Sequence, residues 1–180
     1  GTPLDRAILA KEYEQVLATA GAPAKPVWDT ENNYGLKGPG PANPDVNIVG
    51  PKAGQWLARS YLDSLRLGIA RTYWYAWSPD NDLLGIQMNA GSPGAAAFAN
   101  LEQWIVGATY NGCTNDGSRV TCAFTRKGVP FQVLYTDNGQ TRKFPASGSQ
   151  MCYLDGRCMK VAKKKVAISG PVYVGPALAS

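Results

Sequence analysis

The chain has 180 residues, 44% of them hydrophobic and 17% charged, a composition that excludes a disordered polymer and allows one full domain or two small ones. Its formal net charge is +5, from 18 basic and 13 acidic residues, and it contains no histidine. The missing histidine excludes Ser-His-Asp and Cys-His catalysis and His-ligated zinc, leaving carboxylates to lead any acid–base chemistry.

Thr2-Pro3-Leu4-Asp5 opens a helix, with Thr at the N-cap, proline at the first helical position and an acid three residues after the cap. Leu4, Ile8, Leu9, Tyr13, Val16 and Leu17 recur at helical spacing, Gly21 closes the helix, and Pro23 and Pro26 prevent its return. A short strand around Trp28 follows. Residues 36–50 form a Gly-, Pro- and Asn-rich loop, long enough to be either functional or a decorative insertion. Pro51 opens a second helix carrying Trp56, Leu57, Tyr61, Leu65 and Ile69, and the strand Tyr73–Trp77 comes next. After a loop at 78–92, Phe98, Leu101, Trp104 and Ile105 mark a third helix that reaches Gly107. Helix, strand, helix, strand, helix is the order of α/β architecture with parallel strands.

The character changes at about Ala108. Short β-rich runs (120–125, 131–135, 151–154, 166–168, 172–174) alternate with Gly turns, which predicts a small antiparallel sandwich over 108–180. Cys113/Cys122 and Cys152/Cys158 are close pairs that read as two local disulfides and imply an oxidising, secreted or cell-envelope setting. Four thiolates around zinc are the rival, but the spacings lack C-x2-C knuckles. Lys160, Lys163, Lys164 and Lys165 either guard a strand edge or bind an acidic polymer. With no aromatic or Arg partners interleaved, the run argues for an edge and against nucleic acid. No apolar run approaches the ~20 residues of a membrane helix, and the Gly1 start carries no signal peptide, which fits a mature or processed soluble chain.

Two strand ends hold the candidate chemistry. Pro26-Val27-Trp28-Asp29-Thr30-Glu31 ends on a carboxylate and breaks into Asn32-Asn33-Tyr34-Gly35. Arg71-Thr72-Tyr73-Trp74-Tyr75-Ala76-Trp77 ends on an indole and breaks into Ser78-Pro79-Asp80. A carboxylate can attack or stabilise an anomeric carbon, and a flat indole can stack on a sugar ring. Strand alternation places Val27, Asp29 and Glu31 on one face, and Tyr73, Tyr75 and Trp77 on one face. The plainer alternatives are a solvated loop carboxylate at Glu31 and a packing residue at Trp77. Glu12, Glu14 and Glu102 all fall in predicted helices, which raises the standing of Glu31.

Trp28-Asp29-Thr30-Glu31-Asn32-Asn33-Tyr34-Gly35 resembles the seventh-strand nucleophile motif of retaining glycoside hydrolases with (β/α)8 barrels, commonly Trp-x-Thr-Glu-x-Gly. Trp56–Leu62 and Gly68–Trp77 resemble the following helix and eighth strand, Phe98–Gly107 the last barrel helix, and the remainder the C-terminal β-sandwich these enzymes often carry. The resemblance implies that residues 1–107 are the C-terminal portion of a barrel and 108–180 an accessory sandwich. It implies Glu31 as nucleophile and Trp77 as a sugar platform, with Asn32 and Tyr34 lining the same mouth; strand alternation sets Tyr75 beneath Trp77 as a further substrate contact. Asn33 stands where a glycine is common. The family's acid/base Glu follows an Asn, and the chain has no Asn-Glu dipeptide. An N-terminal portion of the barrel, as a tightly associated partner, would therefore supply that acid and the other strands, with an oligo- or polysaccharide as substrate. The chemistry needs two carboxyls and water, so no metal or organic cofactor is implied. The competing reading is a non-catalytic cell-envelope module that holds polysaccharide through aromatics and lysines.

Overall fold

The computed structural model describes residues 1–23, 25–35, 47–77, 84–146, 148–162 and 164–178. Most of the expected 36–50 loop, Ser78-Pro79-Asp80 and Lys163 lie outside the described residues. The chain divides into two compact units, Gly1–Gly94 and Ala95–Ser180.

In the first unit, α1 (Pro3–Thr19) starts as its sequence predicts. Thr2 Oγ1 accepts from the Asp5 N–H, and Asp5 Oδ2 accepts from the Thr2 N–H, a complete capping box. Gly21 leaves the helix at φ +63°, a left-handed conformation that glycine adopts without a Cβ clash. Strand β1 (Trp28–Asn32), helix α2 (Gly50–Leu67) and strand β2 (Arg71–Trp74) follow. β1 and β2 pair in parallel, as the α/β order implies. Trp28 stands opposite Arg71, Asp29 opposite Thr72 and Asn32 opposite Trp74. Three steps along β1 thus match two along β2, so β1 carries a bulge of one extra residue. α2 buries Leu57, Ala58 and Leu62, and its Ala53 and Trp56 cluster with Tyr34, Ile48, Ile86 and Trp74.

Helix α3 (Pro93–Ile105) begins at the junction of the units. The units part at Gly94/Ala95, so the helix expected to end the first domain packs within the second. The second unit is built on a six-stranded antiparallel sheet. Its strands are β3 (Thr109–Asp116), β4 (Arg119–Arg126), β5 (Val129–Thr136), β7 (Gln150–Tyr153), β8 (Cys158–Lys160) and β10 (Val172–Gly175), in the order β3-β4-β5-β10-β7-β8. β6 (Arg142–Pro145) and β9 (Lys165–Ile168) form a separate two-stranded ribbon. Alternation along β10 serves two cores. Val172 and Val174 join Leu134, Met151 and the ribbon's Phe144 and Ile168. Tyr173 between them turns to Phe131 and to the fully buried Trp104 of α3, at ring-centroid distances of 5.2 and 6.1 Å. Arg126 caps α3 by donating to the Gln103, Trp104 and Val106 carbonyls, a cation at the negative end of the helix dipole.

Both expected disulfides are present. Cys113–Cys122 ties β3 to β4, and Cys152–Cys158 ties β7 to β8, which is compatible with an oxidising compartment. Among the described residues, no helix is long and apolar enough to cross a membrane.

Candidate functional site

The bulge in β1 decides which way each acid of the first unit faces. Asp29 and Asn32 stand opposite Thr72 and Trp74, two residues apart on β2 and therefore on one face. Thr30 and Glu31 share the single step between them. Asp29 and Glu31, expected to share a face, are thereby separated. Asp29 turns toward the helices, where Arg6 Nε donates to its Oδ2 at 2.7 Å. The same guanidinium reaches Ser60 O at 3.2 Å, Ser64 Oγ at 2.8 Å and Thr72 Oγ1 at 3.4 Å. Asp29 is thus a tie between α1, α2 and both strands. Glu31 is exposed, with no hydrogen bond or ion pair among the described residues.

The hydrogen-bonded strand β2 stops at Trp74, short of the expected Trp77, yet exposure alternates on to Trp77. Tyr73 and Tyr75 are each 44% exposed and Trp77 60%, while Thr72, Trp74 and Ala76 between them are half-buried. Trp77 rejoins the sheet through a parallel bridge to Met88, and the Tyr75–Ala76 peptide is cis. At the start of the same strands the Arg71 guanidinium lies 4.5 Å from the centroid of the exposed Trp28 ring and donates to Tyr73 Oη at 3.2 Å. Exposed aromatics therefore run from one strand to the other, with Glu31 at the end of β1.

Asn32 and Tyr34, expected to line a sugar-binding mouth, lie inside. Asn32 is 3% exposed, and its carbonyl accepts from the Tyr75 N–H at 3.1 Å. Tyr34 is 5% exposed, shares a 2.8 Å hydrogen bond with Ser60 Oγ and meets Trp56 edge-on. Burial pushes its phenol above the ordinary tyrosine value. The physical reason is the bulge, which sends Asn32 inward and hands outward exposure to Glu31.

Asn33 is the residue that sequence reasoning passed over. Its Nδ2 donates to Tyr75 O at 2.7 Å and Ile86 O at 3.1 Å, and its Oδ1 accepts from the Ile86 N–H at 3.2 Å and the Tyr34 N–H at 2.7 Å. One amide thus holds the end of β1 to the chain leaving β2 and to the segment at Ile86. The signal was the departure from glycine in the motif. Asn33→Ala should destabilise the chain by about 2–3 kcal/mol in urea unfolding, because it strands backbone groups that have lost their partner. Asn33→Gly should be no better, although glycine is the residue the motif more often carries.

Among the described residues no three His, Cys, Asp or Glu side chains cluster as a metal site would require. No family model and no curated protein matches the sequence. Solved structures match its fold. A family 39 glycoside hydrolase from the gut symbiont Bacteroides cellulosilyticus WH2 is 21% identical and superposes with a TM-score of 0.63. That likeness covers 93% of this chain and 37% of the hydrolase. A GH30 endoxylanase from Clostridium papyrosolvens C71 is 17% identical with a TM-score of 0.46, over 92% of this chain and 44% of that one. What the chain shares with the family 39 hydrolase is its fold, over a little more than a third of that enzyme's length.

Proposed function

We propose that the chain is the C-terminal portion of a retaining (β/α)8-barrel glycoside hydrolase, with Glu31 as nucleophile and Trp77 and Tyr75 as sugar platforms. The observation that carries this reading is the paired strand end. Two adjacent parallel strands turn a carboxylate with no partner among the described residues and a row of aromatics to solvent, in a fold shared with part of a glycoside hydrolase. Asn32 and Tyr34 act from beneath as positioning residues. Residues 108–180 are the accessory β-sandwich of a secreted or cell-envelope enzyme.

In the reaction, a Glu31 oxygen attacks the anomeric carbon as the glycosidic C–O bond breaks. A second carboxyl protonates the departing oxygen, then takes a proton from the water that hydrolyses the glycosyl ester. That second carboxyl must sit ~5–5.5 Å from the first. Asp29 cannot serve, being committed to Arg6 on the helix side. The acid/base therefore comes from an N-terminal portion, which also supplies the strands lacking from a barrel of eight.

The test uses the assembly isolated from its source, first by native and denaturing mass spectrometry, then with a panel of activated 2-deoxy-2-fluoroglycosides. Such sugars slow hydrolysis of the glycosyl ester and leave it trapped. The expected result is a second polypeptide, or a longer precursor, containing Asn-Glu, and a glycosyl adduct on the peptide bearing Glu31. An adduct on another carboxylate would overturn the assignment.

A further inference from the structure

The net charge is concentrated in one unit. Ala95–Ser180 holds ten Lys and Arg against four Asp and Glu, a formal +6, whereas Gly1–Gly94 holds eight against nine. The fold gathers this excess further. Arg142 stands opposite Ile168, Lys143 opposite Ala167 and Pro145 opposite Lys165 in the ribbon. The Ala146 N–H then donates to Lys164 O and the Val161 N–H to Ser149 O, and Gln150 stands opposite Lys160 where β7 meets β8. All these pairings keep one register, so the described residues of 142–146 and 148–153 and those of 158–162 and 164–168 face each other as in one long hairpin that serves two sheets. Nine residues of each arm, 142–150 and 160–168, contain no Asp or Glu.

Arg142, Lys143, Lys160, Lys164 and Lys165 on these arms are all exposed and unpaired with acids among the described residues. Two of the unit's four acids are already occupied, Asp116 by Arg119 and Asp155 by Arg157. Phe144 and Ile168 point into the core, so Lys143 and Lys165 share the outward face of the ribbon as diagonal neighbours. Pro145 and Ala167, both exposed, complete that face as a low floor between them.

We propose that this hairpin is a binding track for an acidic polysaccharide, one that carries carboxylate or sulfate groups along its length. Single ion pairs on an exposed surface contribute little, so a small anion would not be held. A repeating polyanion engages several cations together along about 30 Å of strand and releases the counterions they had gathered. The ribbon's outward face offers no aromatic ring on which nucleic-acid bases could stack, and the disulfides suit an oxidising compartment, so the glycan is favoured over nucleic acid. The inference is independent of the chemistry at Glu31.

The test titrates the 180-residue chain with fluorescent polygalacturonate, dextran sulfate, neutral dextran and a single-stranded DNA oligomer. Expected are saturable binding of either acidic glycan, none of neutral dextran, and a loss of at least about tenfold when salt rises from about 50 to 300 mM. Lys143→Gln/Lys164→Gln/Lys165→Gln should weaken binding by about tenfold with its thermal midpoint unchanged, because all three side chains are exposed. Lys11→Gln/Lys25→Gln/Lys127→Gln removes the same charge elsewhere and should change affinity by no more than about twofold. Equal losses in the two triple variants, tighter binding of DNA than of either glycan, or no glycan binding would each overturn the proposal. So would a hairpin variant that self-associates while keeping its glycan affinity, since lysines that only guard a strand edge would behave that way.

Discussion

With Glu31 as the proposed nucleophile, Glu31→Gln should abolish turnover by the proposed assembly while leaving the stability of the chain unchanged. The side chain keeps its size, but an amide is neither a competent nucleophile nor a counter-charge for an oxocarbenium-like transition state. A loss of about a thousandfold or more, roughly 4 kcal/mol of transition-state stabilisation, is the expected scale. Stability should hold because Glu31 is exposed and makes no hydrogen bond or ion pair among the described residues. A solvated loop carboxylate would give the opposite pattern, with activity kept at more than a few per cent of wild type, and that result would sink the assignment. Glu31→Ala adds an independent readout. With azide present and an activated glycoside as substrate, azide can attack the anomeric carbon in the space the carboxylate left, the leaving group departs, and a glycosyl azide accumulates. With the nucleophile missing, this single displacement gives a glycosyl azide of inverted anomeric configuration, whereas a missing acid/base would give the retained anomer through attack of azide on the glycosyl ester.

How much of this was legible in the sequence depended on whether the signal was local. Thr2, Pro3 and Asp5 specify a helix start by local hydrogen bonding, and α1 begins there. The two cysteine pairs likewise sit at the short separations that paired strands bring together. Strand β3 was missed because its residues are all exposed or half-buried, with no buried face, so it carries no hydrophobic period. β6 and β8 are short, and their outward positions hold Lys, Pro and Met in place of a polar–apolar alternation. At the candidate site, the aromatic alternation from Tyr73 to Trp77 was readable because it is a strict period of two. The facing of Asp29 was not. A one-residue bulge reverses every side-chain direction beyond it, and nothing in Thr30-Glu31-Asn32 announces one. The clamp at Asn33 left only the departure from glycine as a signal, since its partners at Tyr75 and Ile86 lie 42 and 53 residues away.

The Arg6–Asp29 pair carries the second large effect. Their side chains are only 13% and 24% exposed and approach to 2.6 Å, so removing one leaves the other charged and poorly solvated. Asp29→Ala should therefore cost about 2–4 kcal/mol in urea unfolding, somewhat below the range for a fully buried pair because water still reaches the carboxylate. Arg6→Met should cost a similar amount, since it also strips Ser60 O and Ser64 Oγ of a donor. The double variant Arg6→Met/Asp29→Leu removes both charges and should recover at least about 1 kcal/mol of the summed loss. Single variants within about 0.5 kcal/mol of wild type would refute the scaffold role. The double variant also separates scaffold from chemistry. If Asp29 took part in the reaction, the repaired protein would stay inactive; as a tie between helices and strands, it should regain turnover in step with its folded fraction. The bulge follows Asp29, so Asp29 anchors β1 to α1 and α2 while Glu31, two residues on, leaves that face. One short strand thereby holds an ion-paired carboxylate beside an exposed one.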